Sequence, residues 1–100
     1  MVQQLDEILQ DIHGLDARLQ SLEREYGLLS EDFYTLYRLG EIEQTHDVIR
    51  WVGYYELRRE RQRTYETALR ERLLALRRNA DGAPIQLVPY PSGAPHVSTP

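Results

Sequence analysis

The chain has no cysteine among its 100 residues, which excludes a disulfide framework, a thiolate zinc site and a cysteine nucleophile. Nothing in it asks for an oxidising compartment, so the expected location is cytoplasmic. Lysine is absent too, and all twelve basic residues are arginine. Arginine suits bidentate pairing to carboxylates and phosphates, yet coding bias is the simpler source of so complete a preference. All five prolines fall at or after position 84, so no pyrrolidine ring interrupts a helix before then. No apolar run approaches the ~20 residues that span a bilayer, and the opening Met1-Val2-Gln3-Gln4-Leu5-Asp6-Glu7 lacks the basic start and apolar stretch of a signal peptide. No membrane partner is expected. The length suits one small domain and leaves no room for a two-domain enzyme.

What is present is a chain 41% apolar and 28% charged, with mean hydropathy −0.59, a balance that supports a folded domain with a highly charged surface. The net charge of −4 argues against general affinity for nucleic acid. That average hides a division. Residues 1 to 57 carry twelve acids against four arginines, a net −8, while residues 58 to 78 carry eight arginines against three acids, a net +5. Oppositely charged helices that pair within the chain or across a dimer explain this division better than nucleic-acid binding, which is left as a secondary partner only.

Apolar periodicity sets out three helices. Leu5, Ile8, Ile12, Leu15, Leu19, Leu22 and Tyr26 follow an unbroken 3-4-3-4 spacing, the signature of a coiled-coil seam. The spacing predicts a helix from about Gln3 to Tyr26, closed by Gly27 as a left-handed cap. Ser30 reads as the N-cap of a second helix, with Glu31 and Asp32 in its first turn and Leu29 stapled to Tyr34. That helix runs to Leu39 before Gly40 and is apolar enough to be a buried plug. Asp47 reads as the cap of a third helix, with His46 leaning on Trp51. Nothing breaks that helix before Asn79, and its apolar stripe fades around Arg58 to Arg63 and returns at Tyr65, Leu69, Leu73 and Leu76.

The architecture predicted is all-α: a long antiparallel helical hairpin, coiled-coil-like, with a short plug helix and an irregular C-terminal tail. In domain terms, residues 1 to 79 are helical and residues 80 to 100 form a flexible, proline-rich tail. In this arrangement Leu69, Leu73 and Leu76 meet Leu5, Ile8 and Ile12 at the open end. Two long helices and a plug give a thin core, so a homodimer or a hetero-oligomer is expected. Within the tail, Ile85, Leu87, Val88 and Tyr90 form a short extended apolar motif suited to a partner's groove or sheet edge.

No active site is legible. His13, His46 and His96 include no i, i+4 pair for a metal, and Glu41, Glu43, His46 and Asp47 are better explained as a solvated loop with a helix cap. The chain has no glycine-rich phosphate loop, and its serines and threonines lack a histidine at a triad-like spacing. No cofactor, metal or catalytic residue is expected. What stands out is aromatic density: Phe33, Tyr34, Tyr37, Trp51, Tyr54 and Tyr55 lie in little more than twenty residues, with Arg50, Arg58, Arg59 and Arg61 close by. Tyr54 and Tyr55 are consecutive on a helix and cannot both face one core, so at least one reaches a surface. Tyrosine, tryptophan and arginine dominate protein interface hot spots, which makes the start of helix 3 a candidate binding face. Core packing combined with dimerisation is the alternative.

The run Glu25-Tyr26-Gly27, Ser30-Glu31-Asp32-Phe33-Tyr34, Tyr37 and Gly40-Glu41, followed by Asp47, Arg50-Trp51 and Tyr54-Tyr55-Glu56, joins a "YG-x-x-S-x-x-FY" turn to a "D-x-x-x-W-x-x-x-YE" helix. Over about Leu19 to Leu57 it resembles small bacterial antitoxin components encoded beside a toxin gene. It departs from them in placing Arg50 where an acid often precedes the tryptophan. The resemblance implies a protein that binds and neutralises a cognate toxin by direct contact. A structural coiled-coil adaptor or assembly protein is the alternative, and a toxin-like neighbouring gene would separate the two.

Overall fold

The computed structural model describes residues 5 to 89 and contains three helices: α1, Leu5–Tyr26; α2, Ser30–Arg38; and α3, His46–Ala80. Among the described residues there is no strand. The two long helices, α1 and α3, pack along each other as a hairpin, and α2 packs against α3 at the closed end. The all-α hairpin of α1 and α3, with the short helix α2 at its closed end, is therefore the fold. Residues 81 to 89 form a turn and then irregular chain, whereas Tyr90 and the first four residues lie outside the described region.

The α1 seam is buried as its spacing requires: Ile8, Ile12, Leu15, Leu19 and Leu22 are all at least 92% removed from solvent. Each buried aliphatic side chain contributes about 1.5–3 kcal/mol relative to exposure, so this stripe drives the hairpin. The seam's last member behaves differently. Tyr26 is half exposed and lies across Trp51, with ring centroids 5.7 Å apart, while its hydroxyl donates a hydrogen bond to the Asp47 carboxylate.

Both sharp turns depend on glycine. Gly27 and Gly40 have φ of 66° and 73°, where a side chain would clash with the backbone. After α1, the Leu28 amide reaches back to the Glu23 carbonyl. After α2, the Gly40 and Glu41 amides bond the Tyr37 and Leu36 carbonyls, which closes each helix in the manner of a Schellman motif.

Two expected caps are corrected. Ser30 does not cap α2: Leu29 holds the cap position without a side-chain bond, and the Ser30 amide is met instead by the Glu23 carboxylate at 2.9 Å. A negative side chain from α1 thus sits at the positive end of α2. Leu29 remains 63% exposed, so a staple to Tyr34 buries little of it. The cap of α3 is Thr45, whose hydroxyl accepts from the Val48 amide at 3.2 Å. The helix therefore begins at His46, and Asp47 is free to bind Arg50 and Tyr26.

The open end is corrected as well. Contacts between side chains fix the register: Tyr26 meets Asp47, Arg18 meets Tyr54, Asp16 meets Arg58 and Asp11 meets Arg61. Fifteen residues of α1 are thereby matched by fourteen of α3, which puts Leu5 level with about Thr67. Ile8 and Ile12 lie beside the Arg61 to Tyr65 stretch, while Leu73 and Leu76 run about one and a half and two and a half turns beyond Leu5. Helix α3 has 35 residues against 22 in α1, so the excess projects at the open end. No described residue of α3 after Val52 is buried in the core.

Candidate functional site

The closed end is organised by one buried stack. Phe33 of α2 lies flat on Trp51 of α3, with centroids 3.9 Å apart and planes within 5°, and Leu19, Leu22 and Val52 complete the cluster. The indole N–H of Trp51 donates to the Ser30 hydroxyl at 2.9 Å, satisfying a polar group that burial would otherwise leave unpaired. At 1% and 2% exposure, Phe33 and Trp51 cannot touch a partner. Among the proposed partner-binding residues they shape the face from beneath.

The face itself lies on the outer side of that stack, across α2 and α3. The Tyr34 ring is 4.6 Å from Tyr55 and 5.9 Å from Tyr37, centroid to centroid. Its hydroxyl donates to the Glu56 carboxylate at 2.7 Å, which fixes its tilt. Two exposed arginines rest on these rings: Arg59 over both Tyr34 and Tyr55 at 5.8 and 5.9 Å, and Arg38 over Tyr34 at 6.0 Å. Each such contact contributes about 0.5–1 kcal/mol at an exposed site and also holds the guanidinium in place. The result is a pre-ordered aromatic and cationic surface, suited to carboxylates and to flat or apolar side chains.

The consecutive tyrosines separate as helical geometry demands. Tyr55 turns to α2 and joins this surface. Tyr54 turns to α1, where Arg18 lies 5.4 Å over its ring and donates to its hydroxyl at 3.4 Å. Both are half-buried, so each is occupied within the chain.

The remaining arginines of the sequence-predicted face are spread out. Arg58 grips Asp16 of α1 through Nε at 2.8 Å and Nη2 at 3.5 Å, and also bonds Gln62 at 2.7 Å. Arg61 pairs with Asp11 at 3.7 Å. Both therefore hold the hairpin together, the acidic helix against the basic one. Arg50 pairs with Asp47 at 3.0 Å on the far side of the closed end. The hydrogen bonds from Tyr26 and Arg50 hold the Asp47 carboxyl below its ordinary range, while accepting from Tyr26 lets Asp47 push that phenol up to about 12. Arg50 is raised in turn by Asp47.

In the tail, Ile85, Leu87 and Val88 are 39%, 83% and 61% exposed, well away from the closed end. Sequence reasoning missed Arg38 as a component of the face, and the signal that identifies both it and Arg59 is helical spacing: Arg38 follows Tyr34 by four residues, and Arg59 follows Tyr55 by four. Among the described residues, no group of three or more histidine and carboxylate side chains is placed to hold a metal ion, and no helix is long and apolar enough to cross a membrane. Compared with family models, with curated proteins and with solved structures, the chain has no match.

Proposed function

We propose that this chain is a binding protein of the antitoxin kind, which neutralises a cognate toxin by direct protein contact. The observation that carries the reading is the surface built by Tyr34, Tyr37, Tyr55, Arg38 and Arg59, in which two arginines are held over tyrosine rings on the outer side of a buried Phe33–Trp51 stack. Such a surface is ordered before a partner arrives, which lowers the entropy cost of association. The resemblance over about Leu19 to Leu57 supplies the class of partner, and it falls on the residues that build the closed end. An acidic α1 on the same body adds a means of screening a basic toxin surface.

Co-expression with the product of the neighbouring gene is the test. The reading expects that product to arrest growth alone and to be silenced by this chain, with the two proteins purifying together. A neighbour that is harmless alone, or that stays toxic beside the intact chain, overturns it. An adaptor role would then be favoured, with the projecting end of α3 as its main support.

A further inference from the structure

The projecting end of α3 repeats the chemistry by which α3 already binds α1. Arg58, Tyr65, Leu69, Arg72 and Leu76 recur at intervals of seven, four, three and four residues and so form one stripe along the helix. The first part of that stripe faces α1, where Arg58 is met by Asp16 and the neighbouring Arg61 by Asp11. The second part continues past Leu5 with no α1 residue of the described region beside it. Leu69, about level with Leu5, and Leu73 and Leu76 beyond it are only half-buried, and Leu74 is 55% exposed. A groove of about 560 Å³ between the last turns and the tail, lined by Leu76, Ala80, Ala83, Pro84 and Val88 with Arg72, extends the apolar strip.

Charge identifies the occupant. Arg70 and Arg77 flank the leucines on one side, and Arg78 follows. Among the described residues no carboxylate lies within ion-pair distance of these three. A second copy is a poor occupant on two counts. Two projecting ends laid together would place arginine against arginine, and the apolar seam of another copy's α1 is already buried in its own hairpin. Nucleic acid is disfavoured because leucines fill the middle of the strip and Glu66 and Glu71 interrupt the cations. We propose that Leu69 to Ala80, with the tail residues Ala83 to Val88, receives an acidic amphipathic helix from another protein, laid on α3 as a continuation of α1. This surface is separate from the aromatic face at the closed end and does not depend on the antitoxin reading.

The test uses the full chain and two labelled synthetic peptides of about three heptads, both with leucine at the seam and with either glutamate or lysine flanks. Anisotropy should show binding of the glutamate peptide and none of the lysine peptide, with affinity falling as salt rises from ~0.05 to ~0.5 M. Arg70→Glu with Arg77→Glu should weaken the glutamate peptide at least about tenfold, with helicity unchanged because both side chains are exposed. Arg38→Glu with Arg59→Glu should leave this binding intact, which separates it from the toxin surface. Equal binding of both peptides, or no loss in the Arg70 and Arg77 variant, overturns the proposal. So does preferential binding of a labelled DNA duplex, or self-association abolished by the same two substitutions.

Discussion

Trp51 and Ser30 are 21 residues apart, both almost fully buried, and joined by a hydrogen bond of 2.9 Å from the indole N–H to the serine hydroxyl. The bond ties the start of α2 to the first turns of α3, directly beneath the aromatic face, and it sits beside the Phe33–Trp51 stack that positions α2 as a whole. Its removal from either side leaves a polar atom buried without a partner. Ser30→Ala should therefore cost about 1–3 kcal/mol and Trp51→Phe more, because the latter also loses volume from the core. In urea denaturation the double variant should be less destabilised than the two singles predict together, since the second change removes a group the first has already orphaned. Additive costs would mean that the bond contributes nothing.

The pairing of Arg58 with Asp16 joins the basic helix to the acidic one. Its two contacts, at 2.8 and 3.5 Å, lie in a partly exposed setting, with side chains 28% and 35% accessible. A coupling energy of about 1 kcal/mol or less is expected from a double-mutant cycle on Arg58→Ala and Asp16→Ala. It should shrink as salt rises. Stability that increases with salt would show that repulsion within the acidic and basic helices outweighs attraction between them.

Much of this architecture is written locally in the sequence, and what is not has a common cause. The seam from Ile8 to Leu22 is legible because helical spacing alone decides which residues of α1 face inward. The turns at Gly27 and Gly40 are legible because positive φ favours glycine. Ser30 was misleading because the same hydroxyl serves as a cap or as an acceptor for a distant indole, and only the tertiary fold decides between them. Asp47 lost the capping role to Thr45 for a similar reason: Tyr26 and Arg50 both claim its carboxylate. The register of α1 on α3 was the least legible feature. Periodicity says which face is apolar but not how far one helix slides along another, so the projecting end emerges only from side-chain contacts between α1 and α3 residues 21 to 50 positions apart. For the candidate site, the sequence located the aromatic residues and explained why Tyr54 and Tyr55 must diverge. Which arginines accompany them depended on where α2 lies.

The Tyr26–Asp47–Arg50 group predicts a response to pH at both extremes. Accepting the phenol's hydrogen bond, Asp47 raises Tyr26 from an ordinary 10.0 to about 12. A raised group stabilises the fold below its unfolded value and loses that contribution as pH climbs from about 10 to 12. Asp47 is depressed from 3.8, so its contribution is present above that value and is lost on acidification through the lower folded value. Alkaline titration by tyrosinate absorbance should show a late-titrating phenol that disappears in Tyr26→Phe. In Asp47→Asn the Tyr26 phenol should return toward the ordinary range. A titration curve identical in shape for the parent and Tyr26→Phe would remove this contact from consideration.

The aromatic face presents its two arginines to any partner that docks on it. Arg38 and Arg59 are exposed, and each meets its tyrosine partners only through ring contacts, so Arg38→Glu with Arg59→Glu should leave helicity nearly unchanged and lower stability only by the about 0.5–1 kcal/mol of each lost ring contact. Against a partner the same substitutions reverse the charge at the centre of the face. They should weaken complex formation by at least ~2 kcal/mol, about a thirtyfold rise in Kd, which is the level that marks a hot spot. Tyr34→Ala is a harsher probe, because Tyr34 also packs on Tyr55 and bonds Glu56, and some of its cost will be a loss of stability. Arg58→Ala serves as the contrast. Its side chain is engaged by Asp16 and Gln62, so it should lower stability while changing partner affinity little. Calorimetry on the neighbouring gene's product with these three variants distinguishes the cases. If Arg58→Ala weakens the complex more than the Arg38 and Arg59 pair does, the partner sits on the α1 side of the hairpin, and the face built on Tyr34 and Tyr55 is not the one it uses.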